Sequence, residues 1–124
     1  MYEGYQVMNV IKRSGEEVTF DVTKIINAIA KANKATLNSP MSDEVIEEIS
    51  NNVVNKCKTM KRSANVEEIQ DMVEKEIMAH GFYTVAKNYI TYRYERALVR
   101  KSNSTDKQIM SLLERTNEEV KQEN

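Results

Sequence analysis

The first apolar residues of the chain recur at every second position, and the later ones recur at every third or fourth. Residues 7–12 (VMNVIK) and 17–20 (EVTF) are short and rich in β-branched side chains, with Arg13-Ser14-Gly15 between them. Two such runs around a glycine-bearing turn predict a β-hairpin. From Val22 the period changes. Val22, Ile25, Ile26, Ile29 and Ala32 follow helical spacing, and Asp21 stands where an N-cap is expected. Thr36–Ser42 (TLNSPMS) interrupts the pattern at Pro40.

A second helix is expected to start near Ser42, with Asp43 and Glu44 in its first turn, where the helix dipole favours acids. Its apolar stripe is Ile46, Ile49, Val53, Cys57 and Met60. Ser63-Ala64-Asn65-Val66 reads as a brief extended stretch. A third helix follows from Val66 to about His80, with Ile69, Met72, Val73 and Ile77 inward and Gly81 as its C′ residue. A fourth is expected from about Tyr83 to Lys101. Beyond a polar joint at Ser102–Thr105, a fifth is expected over about 105–121, with Ile109, Leu112, Leu113 and Val120 on a narrow stripe. The fold class implied is α+β and mostly helical: a small N-terminal hairpin or sheet capping a four-helix bundle, with an additional C-terminal connector helix. Residues 1–101 form the main domain and 102–124 a linker and connector.

Composition narrows the function. The chain has 124 residues, 30% of them charged, and a formal net charge of -1. A dedicated DNA-binding domain is usually clearly basic, so nucleic acid is an unlikely partner. The single cysteine, Cys57, excludes an internal disulfide and a zinc knuckle. No apolar run approaches the ~18 residues of a membrane span, and the start lacks the pattern of a signal peptide. The expected location is cytoplasmic. No P-loop, GxGxxG, HExxH or CxxC motif occurs, and the only histidine, His80, stands at a helix C-terminus, where imidazole ordinarily caps carbonyls. Cys57 lies on an apolar stripe, as an inert thiol does. No self-contained active site emerges, and no catalytic residue is expected.

Two basic clusters remain. Lys12 and Arg13 stand at the hairpin tip, and Lys24 falls at about N3 of the first helix, where a cation costs about 0.3–1 kcal/mol against the dipole. Pairing with Asp21 would offset that cost, and so would an anion held at the helix N-terminus. With Lys12 and Arg13 nearby, three cations could converge on one phosphate group. The second cluster spans residues 87–101, where Arg93, Arg96 and Arg100 share a helical face and Tyr89, Tyr92 and Tyr94 interleave. A solvated basic face with tyrosines anchoring the helix in the core is the favoured reading of that cluster, because the overall charge is balanced and supports a nucleic-acid platform only weakly.

At these residues the chain resembles a known module. "VIKRSGEEVTFDVTKI", then "VEEIQDMVEKEIM", then "VAKNYITYRYERA" is similar to the ATP-cone, the N-terminal regulatory domain of many ribonucleotide reductases. The resemblance covers about residues 7–101. The segment from Arg100 to Asn124 is similar to the region after the cone in anaerobic (class III) ribonucleoside-triphosphate reductases. The resemblance implies a domain that binds ATP or dATP, with Mg2+, and reports their ratio to the catalytic barrel of the same full-length chain. It implies that Val10 and Ile11 border the adenine and that Lys12, Arg13 and Lys24 hold phosphates, with Lys31, Arg93 and Arg96 as additional contacts. Homo-oligomerisation is compatible with it. The radical glycine, substrate cysteines and zinc site of such enzymes would lie far downstream, so this chain is expected to be a sensor and not an enzyme.

The chain departs from the family pattern on the returning strand. Where family members often carry an acid it has Val18, and Glu17 comes one residue early, which places it on the opposite face. An interaction module that kept the fold and lost the nucleotide is the alternative reading. A nucleic-acid binder using helices three and four around Gly81 is a more distant one.

Overall fold

In the computed structural model the described residues are 7–123, with side-chain surroundings given through residue 103. The hairpin forms as expected. Strand β1 (Val7–Ile11) pairs antiparallel with β2 (Glu17–Asp21), placing Val10 opposite Val18 and Ile11 opposite Glu17. Gly15 N–H donates to the Lys12 carbonyl at 2.8 Å, and Lys12 N–H to the Glu16 carbonyl at 2.8 Å. Gly15 has φ +92°, so the connection is a tight turn closed by a left-handed glycine bulge, with Arg13 and Ser14 at its tip. Met8, Val10, Val18 and Phe20 all pack on the hydrophobic core, while Asn9, Glu17 and Thr19 are exposed. The period of two therefore sorts the hairpin into a core face and a solvent face.

Helix α1 (Thr23–Lys34) follows directly. Val22 already has helical angles, and the Asp21 carboxylate accepts from Thr23 N–H at 2.9 Å and from the Thr23 hydroxyl at 2.8 Å. Asp21 thus does the work of an N-cap, one residue before Val22, which stands at the helix boundary. After α1, the buried Asn33 side chain clamps the loop to the next helix. Its amide donates to the Met41 carbonyl at 3.0 Å and accepts from Met41 N–H at 2.9 Å. Helix α2 (Asp43–Thr59) is capped by Ser42, whose hydroxyl accepts from Val45 N–H.

The brief extended stretch becomes β3 (Ala64–Asn65). It lies parallel to β1, with Val10 opposite Ala64 and Ile11 opposite Asn65, giving a sheet of order β2-β1-β3. Helix α3 (Val66–Ala79) starts with a complete capping box. The Asn65 side chain accepts from Glu68 N–H at 2.8 Å, and Glu68 returns a bond from Asn65 N–H at 3.0 Å. Gly81 (φ +86°) ends it in a Schellman arrangement: Gly81 N–H donates to the Met78 carbonyl, and Phe82 N–H to that of Ile77. The core between sheet and helices is built on Ile29, Ile49 and Ile77, each 0% exposed. Burial of each such side chain is worth about 1.5–3 kcal/mol.

Helix α4 runs from Tyr83 to Glu123. It corrects the expectation of a polar joint and a separate fifth helix, because Ser102–Thr105 are helical. Serine, asparagine and threonine each cost up to about 0.7 kcal/mol relative to alanine, and no glycine or proline breaks the backbone there. The expected stripe Ile109, Leu112, Leu113 and Val120 lies outside the residues whose side chains are described. Residues up to Ile90 belong to one compact unit and those from Thr91 to a second. Within the first, Val85, Ala86 and Tyr89 are buried, and the Asn88 amide donates to the Thr36 hydroxyl at 2.7 Å. Among the described residues, no helix is long and apolar enough to cross a membrane.

Candidate functional site

The hairpin turn delivers Lys12 and Arg13 to the start of α3. They line a cavity of about 300 Å³ together with Ile11, Gly15, Asn65, Val66 and Glu67. Both cations are already in contact with acids. Arg13 Nη2 lies 2.8 Å from Glu67 Oε1, and Lys12 Nζ lies 4.0 Å from Glu16 Oε2. These side chains are about half exposed, so each pair is worth at most about 1 kcal/mol and can yield to a multiply charged ligand.

Lys24 lines a second cavity, of about 180 Å³, with Phe20, Ile25, Ala28, Val66, Ile69, Gln70, Val73 and Tyr89. The two cavities share Val66. In these two cavities the three cations are therefore divided. Lys12 and Arg13 belong to one cavity and Lys24 to its neighbour. The placement of Lys24 in a first helical turn also has a local explanation that the sequence did not suggest: its ammonium lies 5.8 Å from the centroid of the Phe20 ring. A cation–π contact of this kind contributes about 0.5–1 kcal/mol at an exposed site, comparable with the dipole penalty.

The other candidates are placed unequally. Ile11 is half-buried and lines the Lys12/Arg13 cavity. Val10 is 2% exposed in the core and lines neither cavity, which leaves it supporting the floor of the sheet. Lys31 is exposed in the last turn of α1, two turns and about 10 Å beyond Lys24. Arg93 is half-buried and Arg96 exposed, and both belong to the second compact unit. Val18 faces the core opposite Val10, whereas Glu17 points to the other face and accepts from the Asn9 amide at 3.4 Å.

A wider cavity of about 480 Å³ lies beside β1 and the end of α2, where Lys58, Lys61 and Arg62 meet Asn9, Glu17 and Cys57. Arg62 is occupied there by both carboxylate oxygens of Glu68, each at 2.7 Å. That pairing and the Asn65 N–H hold Glu68 down to a pKa of about 2. The Cys57 thiol sits 3.8 Å from the Met72 sulfur, and burial, then Glu68, raises its pKa. Both effects suit structural roles. His80 caps α3, its ring Nδ1 2.9 Å from the Glu76 carbonyl oxygen.

Glu67, Phe20 and Gln70 were missed by the reading of the sequence. Gln70 gave a faint signal: it is a polar residue one turn after Val66, beside the apolar positions Ile69 and Val73.

The family model described as the ATP cone domain matches residues 8–98. The chain belongs to the ATP-cone family. The cone is similar to a part of several large reductases. It is 38% identical over 118 residues to the anaerobic ribonucleoside-triphosphate reductase of Haemophilus influenzae, covering 93% of the cone chain and 16% of the relative. It is 36% identical over 113 residues to the ribonucleoside-diphosphate reductase subunit alpha of Chlamydia trachomatis, covering 84% and 11%. It is 39% identical over 99 residues to the vitamin B12-dependent ribonucleoside-diphosphate reductase of Thermoplasma acidophilum, covering 76% and 12%. The chain thus spans between 11% and 16% of the length of these relatives, which are reductases of several kinds.

Proposed function

We propose that this cone is an allosteric nucleotide sensor that binds ATP or dATP and regulates the overall activity of an anaerobic ribonucleotide reductase. The observation that carries the reading is the pair of cavities meeting at Val66, one bearing Lys12 and Arg13 and the other Lys24. The triphosphate lies against Lys12 and Arg13, displacing Glu67 from Arg13, and the base enters the apolar cavity beside Ile25 and Val66. Lys24, exposed at the start of α1, adds positive charge beside the base cavity. For Lys31, Arg93 and Arg96 the family resemblance is the only support.

Among the described residues no group of three or more His, Cys, Asp or Glu is placed to hold a metal. Mg2+ arrives on the triphosphate, which is its usual manner of binding. The anaerobic branch is supported by the extent of similarity, which reaches 93% of this chain with the Haemophilus reductase and 94% with that of Salmonella typhimurium. Residues 1–101 carry the sensor and 102–124 lead toward the catalytic barrel of a full-length cytoplasmic chain, so this part alone is not an enzyme. Regulation requires that ATP and dATP favour different states of the whole reductase, and homo-oligomers are one form those states can take.

Calorimetric titration of the 124-residue chain with ATP and dATP tests the reading. Saturable binding of both, weakened in Arg13→Ala, is expected. Absence of binding by the folded chain at millimolar nucleotide would overturn it.

A further inference from the structure

The smaller cavity contains a feature that packing does not explain. Its walls are apolar or aromatic on nearly every side, from Phe20, Ile25, Ala28, Val66, Ile69 and Val73. Into this setting α3 brings Gln70, whose carbonyl oxygen Oε1 is buried and has no hydrogen-bond partner. A buried acceptor left unpaired is destabilising, and a leucine or methionine would fill the position without that cost. The buried amide of Asn33, by contrast, is satisfied at both ends. The shape is equally particular. At about 180 Å³ the cavity is smaller than the ~300 Å³ lower bound for a drug-sized ligand, so it suits a ring system and not a whole nucleotide. The charged remainder of such a ligand has the adjoining Lys12/Arg13 cavity across Val66.

We propose that Gln70 is the residue that selects the base, accepting a hydrogen bond at Oε1 from the exocyclic 6-amino group of a purine seated in this cavity. The inference rests on the nucleotide-binding reading above and deepens it. Adenine presents an N–H donor at its 6 position, and glutamine is a natural partner for that edge. Hypoxanthine presents a carbonyl at the same position, which opposes Oε1 in the orientation the amide has here and is met only if the amide turns over to present its nitrogen. Discrimination thus comes from one buried oxygen that has no other partner. The apolar walls contribute affinity for any flat base, and Lys12 and Arg13 contribute affinity for any triphosphate.

The test is a calorimetric titration of the 124-residue chain with ATP, with purine riboside triphosphate, which lacks the 6-amino group, with ITP, and with tripolyphosphate. Wild-type chain should bind ATP about tenfold more tightly than purine riboside triphosphate, and more tightly than ITP, which requires the amide to turn over. Gln70→Met keeps the length and volume of the side chain and removes the acceptor. It should bind ATP and purine riboside triphosphate equally, bind tripolyphosphate as wild type does, and melt no lower than wild type without ligand. Equal binding of ATP and purine riboside triphosphate by wild type would overturn the role of Gln70 while leaving the nucleotide reading intact. So would a Gln70→Met chain that kept the preference for ATP. Binding of tripolyphosphate without binding of any nucleoside triphosphate would overturn the base seat. If no ligand binds, the proposed function fails first and this inference with it.

Discussion

Helix α3 has two sides that treat polar groups in opposite ways. Toward α2 it presents Glu76, which is 8% exposed and fully engaged. Its carboxylate lies 2.6 Å from Lys56 Nζ and accepts from the Asn52 amide at 3.3 Å. The Lys56 hydrogen bond in particular lowers its pKa, outweighing the effect of burial. Toward the hairpin the same helix presents Gln70 with a buried oxygen that has no partner, and Glu67 exposed against Arg13. One side is closed and satisfied, as a structural seam must be where a lost partner leaves a buried charge. The other is incomplete in a way that a bound ligand would complete. A helix stabilised through its first side can carry such an unsatisfied atom on its second, which is where functional sites tend to break local rules.

The contrast can be broken most strongly from the packed side. Ile77→Ala, at a position 0% exposed, should destabilise the chain by about 2–5 kcal/mol in urea unfolding. ATP affinity, measured on the fraction that remains folded, should stay within about twofold of wild type if the two sides are independent. Glu76→Ala should cost about 1–3 kcal/mol, less than the core change because Lys56, about half exposed, returns to water. Arg13→Ala and Lys24→Ala should do the reverse, lowering ATP affinity about tenfold while leaving the unfolding free energy within about 0.5 kcal/mol. A large loss of stability in either would show that the hairpin side is a structural seam as well.

The smallest expected effect is in acid. Glu68 titrates at about 2 in the folded chain against 4.5 ordinarily, and Glu76 is also lowered. A depressed folded-state pKa means that the stabilisation is complete above the unfolded value and is lost as pH falls through the folded one. The urea midpoint should therefore decline from about pH 5 to about pH 2, and Glu68→Gln should flatten that decline. Stability unchanged over this range would remove the carboxylates from the account of the α2–α3 side.

How far the sequence could be read differs between these regions for physical reasons. The hairpin, the cap at Asp21, the Ser42 start and the Gly81 stop are local decisions, set within four or five residues by turn geometry and by unpaired backbone groups. They were readable because nothing distant can easily override a left-handed glycine or a well-placed cap. The break expected at Ser102–Thr105 failed because weak helix formers only tilt an equilibrium, and neighbouring helical turns outweigh them. Lys12, Arg13 and Lys24 were expected to converge, and they line two cavities that share Val66. Spacing placed them on the hairpin tip and the helix start, but spacing carries no information on which side of Val66 each would open.

From its own residues the chain determines a hairpin, a run of amphipathic helices and a basic hairpin tip, because periodicity and capping are short-range. Its motifs also carry the ATP-cone pattern. Only the tertiary structure decided that β3 pairs parallel with β1, that Lys24 rests over Phe20, and that Arg13 meets Glu67. It alone turned Gln70 from one more polar residue on α3 into a buried, unpaired acceptor. Pairing and burial are properties of segments far apart in the chain, and a side chain's partners exist only once those segments have met.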